Sequence, residues 1–181
     1  MTRVLGLSGA LRKASTNTGL LRAVATHLPA SVEFEIATLH GIPLYDGDLE
    51  VAQGKPEAVQ VLDKKIRSAD GIVIATPEYN YSIPGVLKNA TDWLSRGQSP
   101  FVWKRVGIIG AARGVLGAAR AQLALRQNLQ GLEAIVMPKP EIFAGNNATR
   151  FDAQGNLQDA EMHRHLGKWV QAFLDWVEKK P

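Results

Sequence analysis

The chain has no cysteine. Disulfides, thiolate metal sites and cysteine nucleophiles are therefore excluded. Histidine is scarce, four in 181 residues. His163 and His165 stand two apart, where a helix points them in different directions, so they are expected at the surface and not as a metal pair. Asp46, Asp48 and Glu50 surround an Asp-Gly-Asp turn signal and read as turn chemistry rather than a cation site. No metal is expected. No apolar run approaches the length of a membrane span. Thr2-Arg3 precedes an apolar run that Ser8 and Gly9 cut short, so no secretory leader is expected and a cytoplasmic setting is. The triplets at Asn89 and Asn147 then carry no glycosylation meaning. Charge is only mildly positive, +4. No basic stripe interleaved with aromatics is present, so nucleic acid is not an expected partner. The excess cation would still draw small anions. There is no repeat, low-complexity tract or linker, and 181 residues suit one domain over 1–181 with a full core.

What is present is an alternation of apolar runs and helical patterns. Residues 4–7 read as a first strand, and 19–27 as a helix with Leu20, Leu21, Val24 and Leu28 on one face. Residues 32–39 alternate through Val32, Phe34 and Ile36, as an edge strand does. Residues 41–54 read as a loop, and 56–68 as a helix with proline in its first turn. Residues 71–75 and 105–109 are short continuous apolar runs of the doubly buried kind, and 134–136 is the fifth strand expected. Helices are expected over 84–96, 116–130 and 159–179. Trp169 and Trp176 lie on the apolar side of the last one.

Alternating strands and helices imply an α/β protein with a parallel sheet covered on both faces. Five strands in this length suggest the flavodoxin-like, doubly wound order 2-1-3-4-5. Ligands in such sheets lie at the carboxyl ends of the strands, at the crevice between strands 1 and 3.

The loops at that edge are informative. After strand 1 comes Gly9-Ala10-Leu11-Arg12-Lys13-Ala14-Ser15-Thr16-Asn17-Thr18. It is rich in hydroxyl and cationic residues and opens a helix, whose free N–H groups and dipole favour an anion. It lacks the Gly-Lys-Ser/Thr ending of a Walker loop and the glycine spacing of a dinucleotide fingerprint, so a terminal monophosphate suits it. A merely capped helix would look the same from this loop alone. After strand 3, Thr76-Pro77-Glu78-Tyr79-Asn80-Tyr81-Ser82-Ile83-Pro84 is stiffened by prolines and carries two tyrosines, which suits a flat heterocycle. After strand 4, Gly114 and Gly117 allow close backbone approach and Arg113 can meet an anion. A monophosphate beside a flat ring describes a mononucleotide, and FMN fits best.

These segments carry a resemblance. Residues 6–17, the stretch Pro77-Glu78-Tyr79-Asn80-Tyr81-Ser82-Ile83-Pro84-Gly85 with its continuation to Trp93, and Gly114-Val115-Leu116-Gly117-Ala118-Ala119-Arg120 resemble the NADPH-dependent FMN reductase family, in the branch of bacterial quinone and chromate reductases. The likeness covers nearly the whole chain. It implies that the first loop holds the FMN phosphate, with Ser8 at its start and Arg12, Ser15, Asn17 and Thr18 chief among its contacts. It implies that Pro77, Glu78, Tyr79 and Asn80 line the isoalloxazine and that Ala112, Arg113 and Gly114 approach its other side. It also implies a homodimer or homotetramer. Ala10 and Ala112 stand where the family often has hydroxyl residues, Ala118 where a second glycine is common and Thr16 where an aromatic is frequent.

The implied activity is that of an FMN-dependent NAD(P)H oxidoreductase working by a ping-pong scheme. NADPH or NADH gives hydride to flavin N5, leaves, and is replaced by a quinone or similar acceptor (free flavin, an azo compound, chromate). The cofactor carries the chemistry, so no catalytic side chain is expected. Glu78 reads as a polar loop residue, or as the interface partner of an arginine from another subunit, ahead of a general base. The second reading is a one-electron carrier of flavodoxin type. Such carriers resemble acidic proteins, whereas this chain is basic. A receiver-type signalling domain would need an aspartate where Thr76 and Pro77 stand.

Overall fold

The computed structural model describes residues 1–178. Six strands form one parallel sheet: β1 (Thr2–Ser8), β2 (Val32–Ala37), β3 (Gly71–Ala75), β4 (Arg105–Ala111), β5 (Ile135–Val136) and β6 (Ile142–Ala144). The order is β2-β1-β3-β4-β5, with β6 also paired to β4. The expected α/β flavodoxin-like order is thus the observed one. Its fifth position is filled by two short segments, because β5 pairs with the start of β4 and β6 with its end. Pro138 and Pro140 lie between them and have no N–H to give to a ladder, so pairing lapses there. Strand β6 was not visible as an apolar run.

Helices α1 (Thr16–His27), α2 (Gly47–Gln53), α3 (Glu57–Ser68), α4 (Gly85–Leu94), α5 (Ala119–Gly131), α6 (Asn147–Arg150) and α7 (Ala160–Glu178) complete the chain. The first helix begins earlier than the apolar pattern suggests, because Ser15 caps it. Residues 41–54, expected as a loop, contain α2, whose N-cap is Asp46. That helix buries no side chain, so no apolar periodicity announces it. Lys179, expected at the end of the last helix, lies outside the described residues.

Strand alternation divides the core. Leu5, Leu7, Ile72, Ile74, Val106 and Ile108 face α3, α4 and α5. Val4, Val73 and Ile109 face α1 and α7. The edge strand β2 alternates half-buried and exposed residues, as its sequence does. On the α7 side Trp169 and Phe173 stack with ring centroids 5.2 Å apart and planes 5° from parallel. His163 is half-buried rather than a plain surface group: its ring nitrogen lies 3.2 Å from that of His27 on α1. Burial, and then the neighbouring His163, holds His27 below the usual histidine range. Among the described residues no helix is long and apolar enough to cross a membrane.

The Trp169–Phe173 stack requires a bare backbone beneath it. A Cβ added at Gly107 would lie 2.7 Å from the Trp169 ring and 2.9 Å from Phe173. Gly107→Ala therefore overpacks the core and is expected to cost about 1–3 kcal/mol. A urea titration with an unmoved midpoint would contradict that packing.

Candidate functional site

The loop after β1 is held in place from below. Gly9 N–H donates to Ala75 O at 2.8 Å, which extends the β1–β3 pairing one residue beyond Ser8. Ser8 is fully buried and its hydroxyl lies 2.8 Å from that of Thr18. These two residues, expected at the phosphate, form instead the base of the loop and do not line the cleft above it. Ser15 Oγ accepts from the N–H groups of Asn17 and Thr18 at 3.2 and 3.4 Å. Its own hydroxyl proton stays free to be donated. Among the described residues, the backbone N–H groups of Arg12, Lys13, Ala14 and Thr16 donate to nothing, and the Arg12 guanidinium has no carboxylate partner.

Asn17 is also tied to the sheet. Its Nδ2 donates to Ala111 O at 3.0 Å, and its Oδ1 accepts from Ala111 N–H at 2.9 Å. The last rung from β3 to β4 is Thr76 N–H to Ile109 O. Two residues further on, Ala111 points its peptide edge the same way but β3 has left the sheet. The Asn17 amide takes the missing strand's place. One N–H of the amide stays unbonded and Asn17 lines the cleft, so the expected phosphate contact remains open to it.

After β3 the chain makes a tight turn in which Tyr79 and Ser82 exchange N–H···O bonds of 2.9 and 3.0 Å. Asn80 and Tyr81 occupy its corners with φ of 50° and 68°. Two left-handed residues in succession match the primed hairpin turn. Asn tolerates this conformation, whereas Tyr81 adopts it at a cost. Both tyrosines project outward, Tyr81 under the Arg120 guanidinium at 3.8 Å from its ring centroid. Glu78 turns inward. Its carboxylate accepts from Arg120 Nε at 2.5 Å and from the N–H groups of Arg120 and Ala121 at 3.1 and 3.3 Å. It thus caps α5 and pairs an arginine of its own chain, where a polar loop residue or the partner of another subunit's arginine is expected. Fastened in this way, it is unsuited to act as a general base.

After β4, Gly117 is required by packing, not by a ligand: with φ 56° its Cβ would lie 2.7 Å from Ala144 N on β6. Gly114 faces open space. The segment after β6 was missed from the sequence. Asn147 Nδ2 donates to Thr16 Oγ1 at 3.1 Å, and Phe151 and Asp152 reach the same cleft. Asn147 had been read only as part of a triplet. The topology alone points to this segment, because the loop after the fifth strand position also emerges at the carboxyl edge. The Asp152 carboxyl is held below its usual range, first by the backbone N–H of Asn156 and also by its side chain and by Gln154 N–H.

Arg12, Ser15, Asn17, Pro77, Glu78, Tyr79, Ala112 and Arg113 thus line one cleft of about 740 Å³. That is within the usual range for cofactor sites. Asn80 and Gly114 line a second cleft of about 480 Å³, which shares Glu78, Ala112 and Arg113 with the first. Donors and free cations line the same cleft as proline and aromatic walls. A monophosphate attached to a flat ring matches that donor set, so the residues present fit FMN. Among the described residues no group of three or more metal-ligating side chains is found.

A parallel flavodoxin-like sheet with an anion loop and flat walls at its carboxyl edge defines a mononucleotide-binding α/β protein. The chain belongs to the NADPH-dependent FMN reductase family, whose sequence pattern matches residues 2–149. It is 43% identical over 178 residues to an NAD(P)H-dependent FMN reductase of Pseudomonas aeruginosa, covering 98% of this chain and 96% of that one. It is 43% identical over 180 residues to a quinone reductase of Escherichia coli, with the same coverage. Among solved structures, a flavoenzyme NAD(P)H:(acceptor) oxidoreductase of Paracoccus denitrificans superposes with a TM-score of 0.87 at 34% identity, over 98% of both chains.

Two substitutions test this architecture. Asn17→Ala strands a buried N–H and a buried carbonyl of Ala111 and is expected to cost about 3 kcal/mol of stability. A loss below a few tenths of a kcal/mol in chemical denaturation would contradict it. Glu78→Gln weakens the fastening between two cleft loops. Its dissociation constant for FMN is expected to rise about tenfold. An unchanged value by flavin fluorescence would show that the Glu78–Arg120 pair does not shape the cleft.

Proposed function

We propose that the protein is an FMN-dependent NAD(P)H oxidoreductase whose acceptor is a quinone, formed from a single domain and working as a cytoplasmic homodimer or homotetramer. The observation that supports this most is one cleft in which an unpaired arginine and free helix-end donors face the same space as proline and tyrosine walls. Bound FMN would supply the redox chemistry, taking hydride from the nicotinamide donor and passing electrons to the acceptor.

The chain's own residues supply position and field. In this reading Arg12, the free N–H groups of residues 12–16 and the Ser15 hydroxyl hold the phosphate. Ser8 and Thr18 act beneath, by fixing the loop, and Asn17 fixes it while keeping one amide N–H for the phosphate. Pro77, Tyr79 and Ala112 line the ring. Asn80 and the Arg113 and Gly114 amides would stabilise negative charge on the ring. Glu78 takes no proton and fixes the loop instead. Tyr79 is 54% exposed, so the cleft stays open to water, which can protonate the product. An open flat-walled site also admits a quinone once the nicotinamide has left. The quinone reductases among the relatives support that acceptor class. Exposed apolar residues away from the cleft, such as Leu44 and Val51, favour self-association.

The test is an FMN titration of the apo-protein followed by steady-state kinetics. Fluorescence quenching is expected to saturate at about one FMN per chain. NADPH oxidation with benzoquinone is expected to give parallel double-reciprocal lines. Intersecting lines would point to a ternary complex and against the shared, alternately used site.

A further inference from the structure

We propose that the second cleft receives the adenosine end of the nicotinamide donor and that Arg113 reads its 2′-phosphate, so that NADPH is preferred to NADH. This rests on the reductase reading above and names the donor for that same site.

Contiguity is the first argument. A donor whose nicotinamide lies over the ring in the larger cleft must carry its pyrophosphate and adenosine out along an adjoining surface. The second cleft adjoins it, sharing Glu78, Ala112 and Arg113. Charge is the second. Two arginines and one carboxylate line the second cleft. The carboxylate, Glu78, is bound to Arg120, so those two cancel. Arg113 is exposed and has no carboxylate partner among the described residues. One uncompensated, accessible guanidinium therefore stands where the two clefts meet, with the bidentate geometry that suits a phosphate. Arg12, the other cleft arginine without a partner, lines the larger cleft alone and belongs to the loop assigned to the FMN phosphate.

The backbone supports the same occupant. Among the described residues, the N–H groups of Val115 and Leu116 donate to nothing and can meet a pyrophosphate. The Val115 and Leu116 side chains, 76% and 48% exposed, offer an apolar surface to a purine. An acceptor such as a quinone would need none of these groups.

The proposal is tested on the FMN-loaded protein with 2′,5′-ADP and 5′-ADP as calorimetric probes. The unaltered protein is expected to bind 2′,5′-ADP at least about fivefold more tightly. Arg113→Ala is expected to erase that difference and Arg113→Lys to keep part of it. In kinetics, the NADPH-to-NADH ratio of kcat/KM is expected to fall about tenfold in Arg113→Ala, chiefly through KM for NADPH. Equal binding of the two probes, or an unmoved ratio in the variant, overturns the assignment. Failure of the unaltered protein to take up FMN overturns the reductase reading and this inference with it. Uptake of FMN with equal use of both nucleotides overturns this inference alone.

Discussion

The site depends on one side-chain amide that completes a sheet. Asn17, in the first turn of α1, pairs both its ends with Ala111 at the last residue of β4. Strand β3 has already turned away, so without Asn17 a buried peptide edge would lack partners. The pairing also sets the distance between two loops that approach the cleft from separate parts of the chain. The loop after β1 enters α1 just before Asn17, and the loop after β4 starts just after Ala111. Neither can shift without breaking two buried hydrogen bonds in a low-dielectric environment, where each is costly to lose. A cleft fixed in this way needs little ordering when a cofactor enters, and that lowers the cost of binding.

The charges around the cleft fall into two groups. Glu78 and Arg120 are bound to each other, and Glu78 also receives two N–H groups from the start of α5. Asp152 is enclosed by the donors of Gln154, Asn156 and Gln158. These carboxylates fix turns and present little unmet demand to a ligand. Arg12 and Arg113, which line the larger cleft, are in the opposite condition. Arg12 and Arg113 are exposed and have no acidic partner among the described residues. A fold that neutralises its acids internally and leaves two cations free is suited to ligands with phosphate at more than one point.

Much of this was legible in the sequence. Continuous apolar runs at β1, β3 and β4 identified buried parallel strands, because side chains on both faces must be apolar there. The alternation at β2 identified an edge. The loops that line the cleft followed from the strand order. What stayed hidden was hydrogen bonding. An asparagine in an anion loop reads as a phosphate ligand alone, and its structural role stays hidden because Ala111 lies 94 residues away. The Ser8–Thr18 contact is hidden for a similar reason, since a hydroxyl can serve a ligand or another hydroxyl. Glu78 could be read as an interface group because Arg120 gives no local sign of turning toward it. Strand β6 and helices α2 and α6 lacked a period long enough to register.

The same cleft weighs against a carrier that only relays single electrons. Such a role needs a cofactor held at one accessible edge, and it does not need a second groove opening onto the ring walls. Here the smaller cleft opens from the larger one through Ala112 and Arg113. The tight turn at Asn80 and Tyr81 separates the two, and Tyr81 is kept in its left-handed conformation partly by the Arg120 guanidinium over its ring. A strained residue held by a cation–π contact and a capped helix is a wall that the surrounding structure over-determines. Glu78, at the foot of that wall, lines both clefts, so the wall serves what binds beside the flavin as well as the flavin. An enzyme that exchanges a long dinucleotide for a small flat acceptor needs that division, with one surface shared by both substrates and another touched by the donor alone.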